Sequence, residues 1–228
     1  MLVGAAAAGG PARAQTTAAP PPPGVDPRVY VIGDSVMLGA RDALVAELAG
    51  WSVTVWAQEG LSTLGAASIV SASHAVIGDV VVVALGNNDA GDPTTFGQRI
   101  DRVMQAIGAV PRVIWVNLRN FASWVPAMDQ QLVLAQSRWP NLQIADWNSV
   151  ASPNPGFVYG DGLHLTPAGQ IAMAQLVGQQ IDAFVQSRSP ATTTTTSTPT
   201  GPATRDPARR RHGHPTQPRY WPTLFGFG

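Results

Sequence analysis

The chain predicts an α/β fold in three layers, a flavodoxin-like α/β/α sandwich around a central five-stranded parallel sheet. Short β-branched runs alternate with amphipathic stretches over about 160 residues, which is typical of strands and helices joined by right-handed crossovers. The run VVVVALG at residues 80–86 is apolar at every position, as expected for a central parallel strand covered on both faces. We therefore expect a doubly wound sheet with the first strand near its centre.

Each element follows from its local residue pattern. The strands are short runs rich in Val, Ile and aromatic residues, and the helices have apolar residues at helical spacing. The last helix has Thr166 as its N-cap and Pro167 at its first position. Strands are predicted at Val29–Gly33, Val53–Ala57, Val80–Gly86, Arg112–Asn117 and Leu142–Asp146. Helices are predicted at Met37–Leu48, Thr63–Ser71, Thr95–Ile107, Val125–Trp139 and Pro167–Gln186.

One folded domain is predicted at residues 28–186, because the sequence on both sides has the composition of non-globular chain. Residues 1–14 are small and apolar and end in Ala-x-Ala, which predicts a secretory signal and an exported protein, secreted or held in the cell envelope. The alternatives are a disordered leader rich in Ala and Gly and a misplaced start codon. The Pro-rich residues 15–27 predict an extended linker, and the Thr-, Pro- and Arg-rich residues 187–228 predict a disordered tail.

The charge distribution argues against a nucleic-acid partner. The chain has 14 basic residues, all of them Arg, and 14 acidic residues. Residues 25–186 carry 7 of the Arg against 13 acids, and such an acidic body does not suit nucleic acid. The tail carries 6 Arg against one acid, which predicts association with an anionic cell wall. Neither a disulfide nor a membrane span is expected, since the chain has no Cys and no apolar run of ~20 residues.

Ser35 stands on a predicted strand-to-helix turn, in the sequence YVIGDSVMLG at residues 30–39. Open α/β sheets place their chemistry at the carboxyl ends of such strands. A nucleophilic serine needs a base, and the predicted domain offers only His74 and His164. His74 precedes the third strand and so lies near the amino end of the sheet. His164 follows the fifth strand and can reach the same edge as Ser35.

Asp161 lies three residues before His164, in the glycine-rich sequence YGDGLHLTPAGQ. In a tight loop its carboxylate can accept the Nδ1 proton of the imidazole and stabilise the imidazolium that forms when Nε2 takes the serine proton. An aspartate near a histidine is also a common surface pair, so this spacing is a weak signal when taken alone. The hypothesis is a Ser35, His164 and Asp161 triad.

An acyl-transfer site also needs hydrogen-bond donors for the oxyanion. Gly60 follows the second strand and would let a backbone N–H approach the site, and Asn88 follows the third strand and offers a side-chain amide. The backbone N–H of Ser35 would be a third donor. Each residue could equally be an ordinary turn residue. Taken together, however, residues suited to the different roles of one acyl-transfer site follow four of the predicted strands.

Four short motifs resemble the blocks of the SGNH hydrolase superfamily, which includes the GDSL esterases: GDSV at 33–36, Gly60 in EGLST, GNND at 86–89 and DGLH at 161–164. The resemblance covers about residues 28–186. It implies that Ser35 is the nucleophile, that Ser35, Gly60 and Asn88 form the oxyanion hole, and that Asp161 and His164 complete the catalytic triad. Val36 stands where the commonest pattern has Leu, and Gly65 follows Gly60 closely.

Within the superfamily, the first and last motifs most resemble the extracytoplasmic domains associated with membrane acyltransferases that O-acetylate peptidoglycan and other glycans. This resemblance implies an exported serine esterase that forms an acyl-enzyme on short acyl esters, mainly acetyl, of cell-surface carbohydrate. The alternatives are a glycan O-acetyltransferase, a general carboxylesterase or lipase, and a catalytically silent glycan-binding module. The expected partner is an acylated glycan or a small ester.

The loop after the fourth strand, NLRNFASW, supplies possible substrate-binding residues, namely Asn117, Arg119, Asn120 and Trp124. Amide and aromatic groups suit a sugar, although Trp124 can equally pack in the core. Asp34 and Asp89 flank the catalytic motifs and are predicted to brace loops by accepting backbone N–H groups. No cluster has metal-ligand spacing and no glycine-rich phosphate loop is present, so no metal and no cofactor is expected.

Overall fold

The structure is a computed structural model that describes residues 17–89 and 91–188. The predicted secretory signal and almost all of the predicted tail therefore lie outside the described residues. Every helix and strand of the described part lies between residues 28 and 188. None of the helices described there is both long and apolar enough to cross a membrane.

Strands and helices alternate as the sequence predicts, with most boundaries within two residues of the expected ones. The strands are β1 Arg28–Gly33, β2 Ser52–Ala57, β3 Val80–Ala84, β4 Arg112–Val116 and β5 Leu142–Ala145. The helices are α1 Ser35–Glu47, α2 Thr63–Ala72, α3 Pro93–Ile107, α4 Val125–Arg138, α5 Trp147–Ala151 and α6 Pro167–Arg188. The sequence did not predict α5, which is too short to show a helical period.

The five strands form one parallel sheet in the order β2-β1-β3-β4-β5, which confirms the predicted fold class. One apolar core packs α1, α5 and α6 against one face of the sheet, and a second core packs α2, α3 and α4 against the other. All side chains of β3 are buried, as a strand covered on both faces requires. Because β1 is flanked by β2 and β3, the turn after β1 lies between the loops that follow those strands.

Residues 17–27 have neither helix nor strand, as expected of a linker, yet they pack against the domain. Ala18 and Val25 are buried in the core under α1 and α6. The backbone N–H of Ala18 donates to the carbonyl of Glu47, and the indole N–H of Trp51 donates to the carbonyl of Ala19 at 2.8 Å. Composition alone does not reveal these contacts, since they depend on residues far along the chain.

Candidate active site

The turn after β1 presents Ser35 at the carboxyl edge of the sheet. Asp34 is the N-cap of α1, and its Oδ1 accepts the backbone N–H of Val36 at 2.9 Å. Gly33 is required here because a Cβ at that position would overlap the side chain of Met37. The turn therefore leaves Ser35 half-buried as the first residue of the helix, with its hydroxyl free to face the neighbouring loops.

The structure brings Ser35, His164 and Asp161 together. Ser35 Oγ lies 3.1 Å from His164 Nε2, and His164 Nδ1 lies 2.7 Å from Asp161 Oδ2. The other carboxylate oxygen, Oδ1, accepts the backbone N–H groups of Leu163 and His164. The imidazole hydrogen bond, followed by these backbone N–H groups, lowers the pKa of Asp161 to about 2. Asp161 is therefore ionised at neutral pH, which favours the proton on Nδ1 and leaves Nε2 able to accept the serine proton.

His74, the rejected alternative base, lies in a single 3₁₀ turn that ends just before β3. It is exposed at the amino edge of the sheet, opposite the edge that carries Ser35. Among the described residues, His164 is therefore the histidine that reaches the serine.

Gly60 and Asn88 lie in the loops on either side of the Ser35 turn, because β2 and β3 both pair with β1. Gly60 is exposed and has a φ of +70°, a conformation that favours glycine. The Asn88 amide donates to the carbonyl of Leu61 at 3.2 Å, which joins the two loops. This bond uses one of the two amide protons, so the other can donate to a further acceptor.

Two buried aspartates brace these loops, as predicted. Asp89 accepts both the backbone N–H and the hydroxyl of Thr63, and its other oxygen pairs with Arg99 at 2.7 Å. Asp34 accepts the side-chain amide of Asn87 at 2.9 Å in addition to its helix-cap bond. Burial raises the pKa of Asp34 to about 6, against the opposing effect of these hydrogen bonds.

A small cavity of about 10 Å³ lies at the carboxyl edge of the sheet, with room for about one water molecule. Val36 and Leu163 line it, and each is the chain neighbour of a triad residue. Asn87 also contributes to the wall. The sequence analysis did not single out Asn87 or Leu163, although their places beside Asn88 and His164 were an available signal. The remaining lining residues are Ala84, Val116, Asn117, Leu118, Arg119, Trp147 and Met173.

The four possible substrate-binding residues divide into two groups. Asn117 and Arg119 line the cavity, whereas Asn120 and Trp124 do not. Both ends of the Asn117 amide are occupied within the protein, since it donates to Asp146 at 2.9 Å and accepts the backbone N–H of Asn148 at 3.0 Å. This amide therefore joins the loop after β4 to α5.

The other three side chains differ in their surroundings. Arg119 donates to the carbonyl of Gly162 at 2.7 Å, and its Nε is buried with no hydrogen-bond partner. Asn120 is exposed. Trp124 is half-buried against the core and meets the ring of Phe121 edge to face at 5.4 Å, so its contacts are those of a packing residue.

Solved structures identify the fold. The C-terminal catalytic domain of peptidoglycan O-acetyltransferase A from Streptococcus pneumoniae superposes with a TM-score of 0.57 at 24% identity, over 72% of this chain and 95% of that domain. The chain has the SGNH hydrolase fold. Another example of this fold, the family 3 carbohydrate esterase of Clostridium thermocellum, superposes with a TM-score of 0.56 at 17% identity, over 68% of this chain and 96% of that one.

Sequence comparison gives a relative of the same kind. O-acetyltransferase OatA of Staphylococcus aureus is 22% identical over 161 residues, which are 69% of this chain and 26% of that protein. The chain thus spans about a quarter of the length of the curated relatives it matches. No protein-family model matches the chain.

Proposed function

We propose that the protein is a serine esterase that removes short acyl groups, mainly acetyl, from esters of cell-surface carbohydrate. The observation that carries this proposal is the hydrogen-bonded series from Ser35 through His164 to Asp161, with distances of 3.1 and 2.7 Å. The resemblance to acetyl-transferring and carbohydrate-esterase domains supports the same chemistry. The predicted secretory signal supports a location of the enzyme outside the cytoplasm.

In the first half of the reaction, His164 Nε2 takes the proton of Ser35 as Oγ attacks the ester carbonyl. The negative charge on the carbonyl oxygen would be stabilised by the backbone N–H groups of Ser35 and Gly60 and by the amide of Asn88. When the tetrahedral intermediate collapses, the bond to the alcohol breaks and the imidazolium gives its proton to that alcohol. The acyl group remains on Ser35 as an ester.

In the second half, a water molecule attacks the acyl ester and His164 takes one of its protons. The second tetrahedral intermediate releases the carboxylic acid, and the proton on His164 returns to Ser35 Oγ. Asp161 stays ionised in both halves, since hydrogen bonds hold its pKa at about 2. Its role is to orient the imidazole and to stabilise the positive charge that the ring carries in between.

The size of the cavity favours a short acyl group. The cavity lined by Val36, Leu163 and Met173 has a volume of about 10 Å³, which is space for about one water molecule, so an acyl chain longer than acetyl placed there would have to displace packed side chains. We therefore expect turnover to fall as the acyl chain lengthens. A lipase would show the opposite trend.

A second candidate function is transfer of the acetyl group to a sugar hydroxyl in place of water. The matches to the O-acetyltransferase domains favour it. The acceptor alcohol would occupy the position of the attacking water and give its proton to His164, so the same residues serve both reactions. A bound sugar has a high effective concentration and can outcompete water.

The test is hydrolysis of acetate, butyrate and octanoate esters by the purified chain and by Ser35→Ala, followed by product analysis with chito-oligosaccharide acceptors. Acetate hydrolysis that Ser35→Ala abolishes would support the esterase. Acetylated sugar formed at saturating acceptor would select the transferase, and a preference for octanoate would select the lipase. An inactive wild-type protein would favour the remaining alternative, a catalytically silent glycan-binding module.

Association with the cell wall through the Arg-rich tail remains a prediction. It is tested by measuring whether added salt weakens binding of the protein to cell walls.

A further inference from the structure

His164 lies on a short hairpin whose two sides face different surroundings. Val158 and Leu165 form an antiparallel bridge, and the backbone N–H of Tyr159 donates to the carbonyl of His164 at 2.8 Å. On the other side of the bridge, Thr166 donates to the carbonyl of Phe157 at 3.0 Å. This register makes Tyr159 the cross-strand partner of His164.

The bridge residues fix which way the partners face. Val158 and Leu165 are buried, with 8% and 4% of their surface exposed. Successive side chains in a hairpin point to opposite faces, so Tyr159 and His164 emerge together on the outer face. Directly opposed residues have Cβ atoms about 5 Å apart, so the two side chains begin close together on this face. Tyr159 is 55% exposed and the His164 side chain is 47% exposed.

The backbone around Tyr159 is fixed to the same turn as the predicted triad. The carbonyl of Tyr159 accepts the N–H of Gly162 at 2.9 Å, which closes the turn that carries Asp161. The base of the aromatic side chain is therefore held relative to the imidazole. A large ring that is half exposed beside a reacting group offers an apolar surface with a polar edge to a ligand.

We propose that Tyr159 is a substrate-binding residue on which a sugar ring of the alcohol half of the ester stacks. This inference rests on the proposed function. The C–H face of a pyranose matches the flat apolar face of a phenol ring, and the sugar hydroxyls lie at the edge of that pyranose. A ring placed on Tyr159 directs such an edge toward His164 Nε2, the atom that gives a proton to the leaving alcohol.

The first test compares two acetate esters that differ only in the alcohol, an O-acetylated chito-oligosaccharide and vinyl acetate, which has no ring to stack. Tyr159→Ala is expected to raise the KM for the sugar ester roughly three- to tenfold with kcat nearly unchanged, because stacking is lost equally from ground and transition states. The ratio of kcat/KM for the sugar ester to that for vinyl acetate falls by the same factor. Tyr159→Phe keeps the ring and should keep the ratio.

A second measurement does not depend on turnover. Calorimetric titration of chito-oligosaccharide into Ser35→Ala and into the Ser35→Ala/Tyr159→Ala double variant should show weaker binding to the double variant. Leu134→Ala, which trims an exposed apolar side chain on α4, is the matched control and should leave the titration unchanged. Thermal unfolding of each variant checks that the fold is retained.

The outcomes separate this inference from the proposed function. Equal sugar binding with and without the Tyr159 side chain would overturn its role in binding. A Tyr159→Ala variant whose kcat/KM falls by the same factor for the sugar ester and for vinyl acetate would overturn it too. An inactive wild-type protein whose sugar binding still depends on Tyr159 would overturn the esterase and support the subsite.

Discussion

The guanidinium of Arg119 donates a hydrogen bond to the carbonyl oxygen of Gly162 at 2.7 Å. Gly162 lies between Asp161 and His164 and has a φ of +73°, and a Cβ there would lie 3.1 Å from Arg119 Nη1. The loop after β4 is thereby joined to the loop that holds the imidazole and its carboxylate. We therefore expect Arg119 to position His164 through this bond, in place of the substrate-binding role that the sequence suggested.

Replacing Arg119 with Met should lower kcat by roughly ten- to a hundredfold with little change in KM, because the imidazole loses its alignment with Ser35. Arg119→Lys should retain part of the activity, since an ammonium can still donate to the Gly162 carbonyl. Steady-state kinetics on acetate esters measure both effects. Arg138→Met, which removes an exposed ion pair with Asp101, is the control. A rise in KM alone would make Arg119 a substrate contact.

Ser35 and His164 should behave as one unit. Ser35→Ala and His164→Ala are each expected to lose most of the turnover, and the double variant should lose little more than either single variant, because neither residue works without its partner. Asp161→Asn should be milder than Ser35→Ala but still large. The measurement is kcat on an acetate ester for all variants. Losses that multiply in the double variant would mean that the two residues act independently.

Asn88→Ala should lower kcat by roughly 10²- to 10³-fold with KM nearly constant, because its amide binds charge that exists only in the transition state. The variant also loses the hydrogen bond from Asn88 to the Leu61 carbonyl, which could loosen the two loops. A melting temperature equal to that of the wild type would show that the loss of kcat does not come from a loosened structure. An increased KM with kcat preserved would instead assign Asn88 to substrate binding.

Asp34 should make stability fall as the pH rises toward neutrality. Its pKa is about 6 in the folded protein because of burial, whereas an unfolded aspartate titrates near the ordinary value of about 4. Between these pH values the folded state binds more protons than the unfolded state, so the free energy of unfolding decreases with increasing pH. The contribution is complete below about pH 4 and is lost above about pH 6, and it amounts to on the order of 3 kcal/mol.

Asp34→Asn cannot ionise, and its melting temperature should therefore lose this part of the pH dependence. Thermal unfolding of both proteins at about pH 4 and about pH 7 measures the difference. Asp129 also has a pKa raised to about 6 by burial, and it accepts the backbone N–H of Leu118. Asp129→Asn should therefore also lose part of the pH dependence of the melting temperature. Identical pH profiles for Asp34→Asn and wild type would refute the assignment to Asp34.

A chain that begins at residue 28 should be less stable than one that begins at residue 17 by about 2 kcal/mol. The shorter chain loses the burial of Val25 and leaves the indole N–H of Trp51 without its acceptor. It also loses the bond from the backbone N–H of Ala19 to Asp182 at 2.7 Å. Denaturant midpoints of the two chains measure the difference. Equal midpoints would show that the segment packs without stabilising the domain.

The fold was predictable because its signals are local. The all-apolar residues of β3 indicate a central strand, and Pro167 marks the beginning of α6. The pairing of Asp161 with His164 was also predictable, since a spacing of three residues brings the two side chains together within one loop. The predicted catalytic roles of these residues are not tested by their geometry alone and depend on the experiments above.

The rest of the site depends on contacts between distant parts of the chain. The possible substrate-binding role of Asn117 stays a prediction, and the sequence does not show that its amide is bonded to Asp146 and Asn148, about thirty residues away in sequence. The cavity is likewise formed by residues from several separate elements, so its volume is set by packing and leaves no sequence motif. Ala18 and Val25 join the core for a similar reason, although they belong to a segment with the composition of a linker.

The hairpin that carries His164 is exposed, yet most of its backbone hydrogen bonds lie within the hairpin itself. Five backbone N–H groups donate to acceptors in the segment 157–164, namely those of Tyr159, Gly162, Leu163, His164 and Thr166. A segment bonded in this way already holds its reacting geometry before substrate arrives. Enzymes that close a lid spend much of each cycle on loop motion, whereas we expect this hairpin to need no closing step. The time of one turnover would then be set by bond making and breaking, and solvent viscosity would have little influence on it.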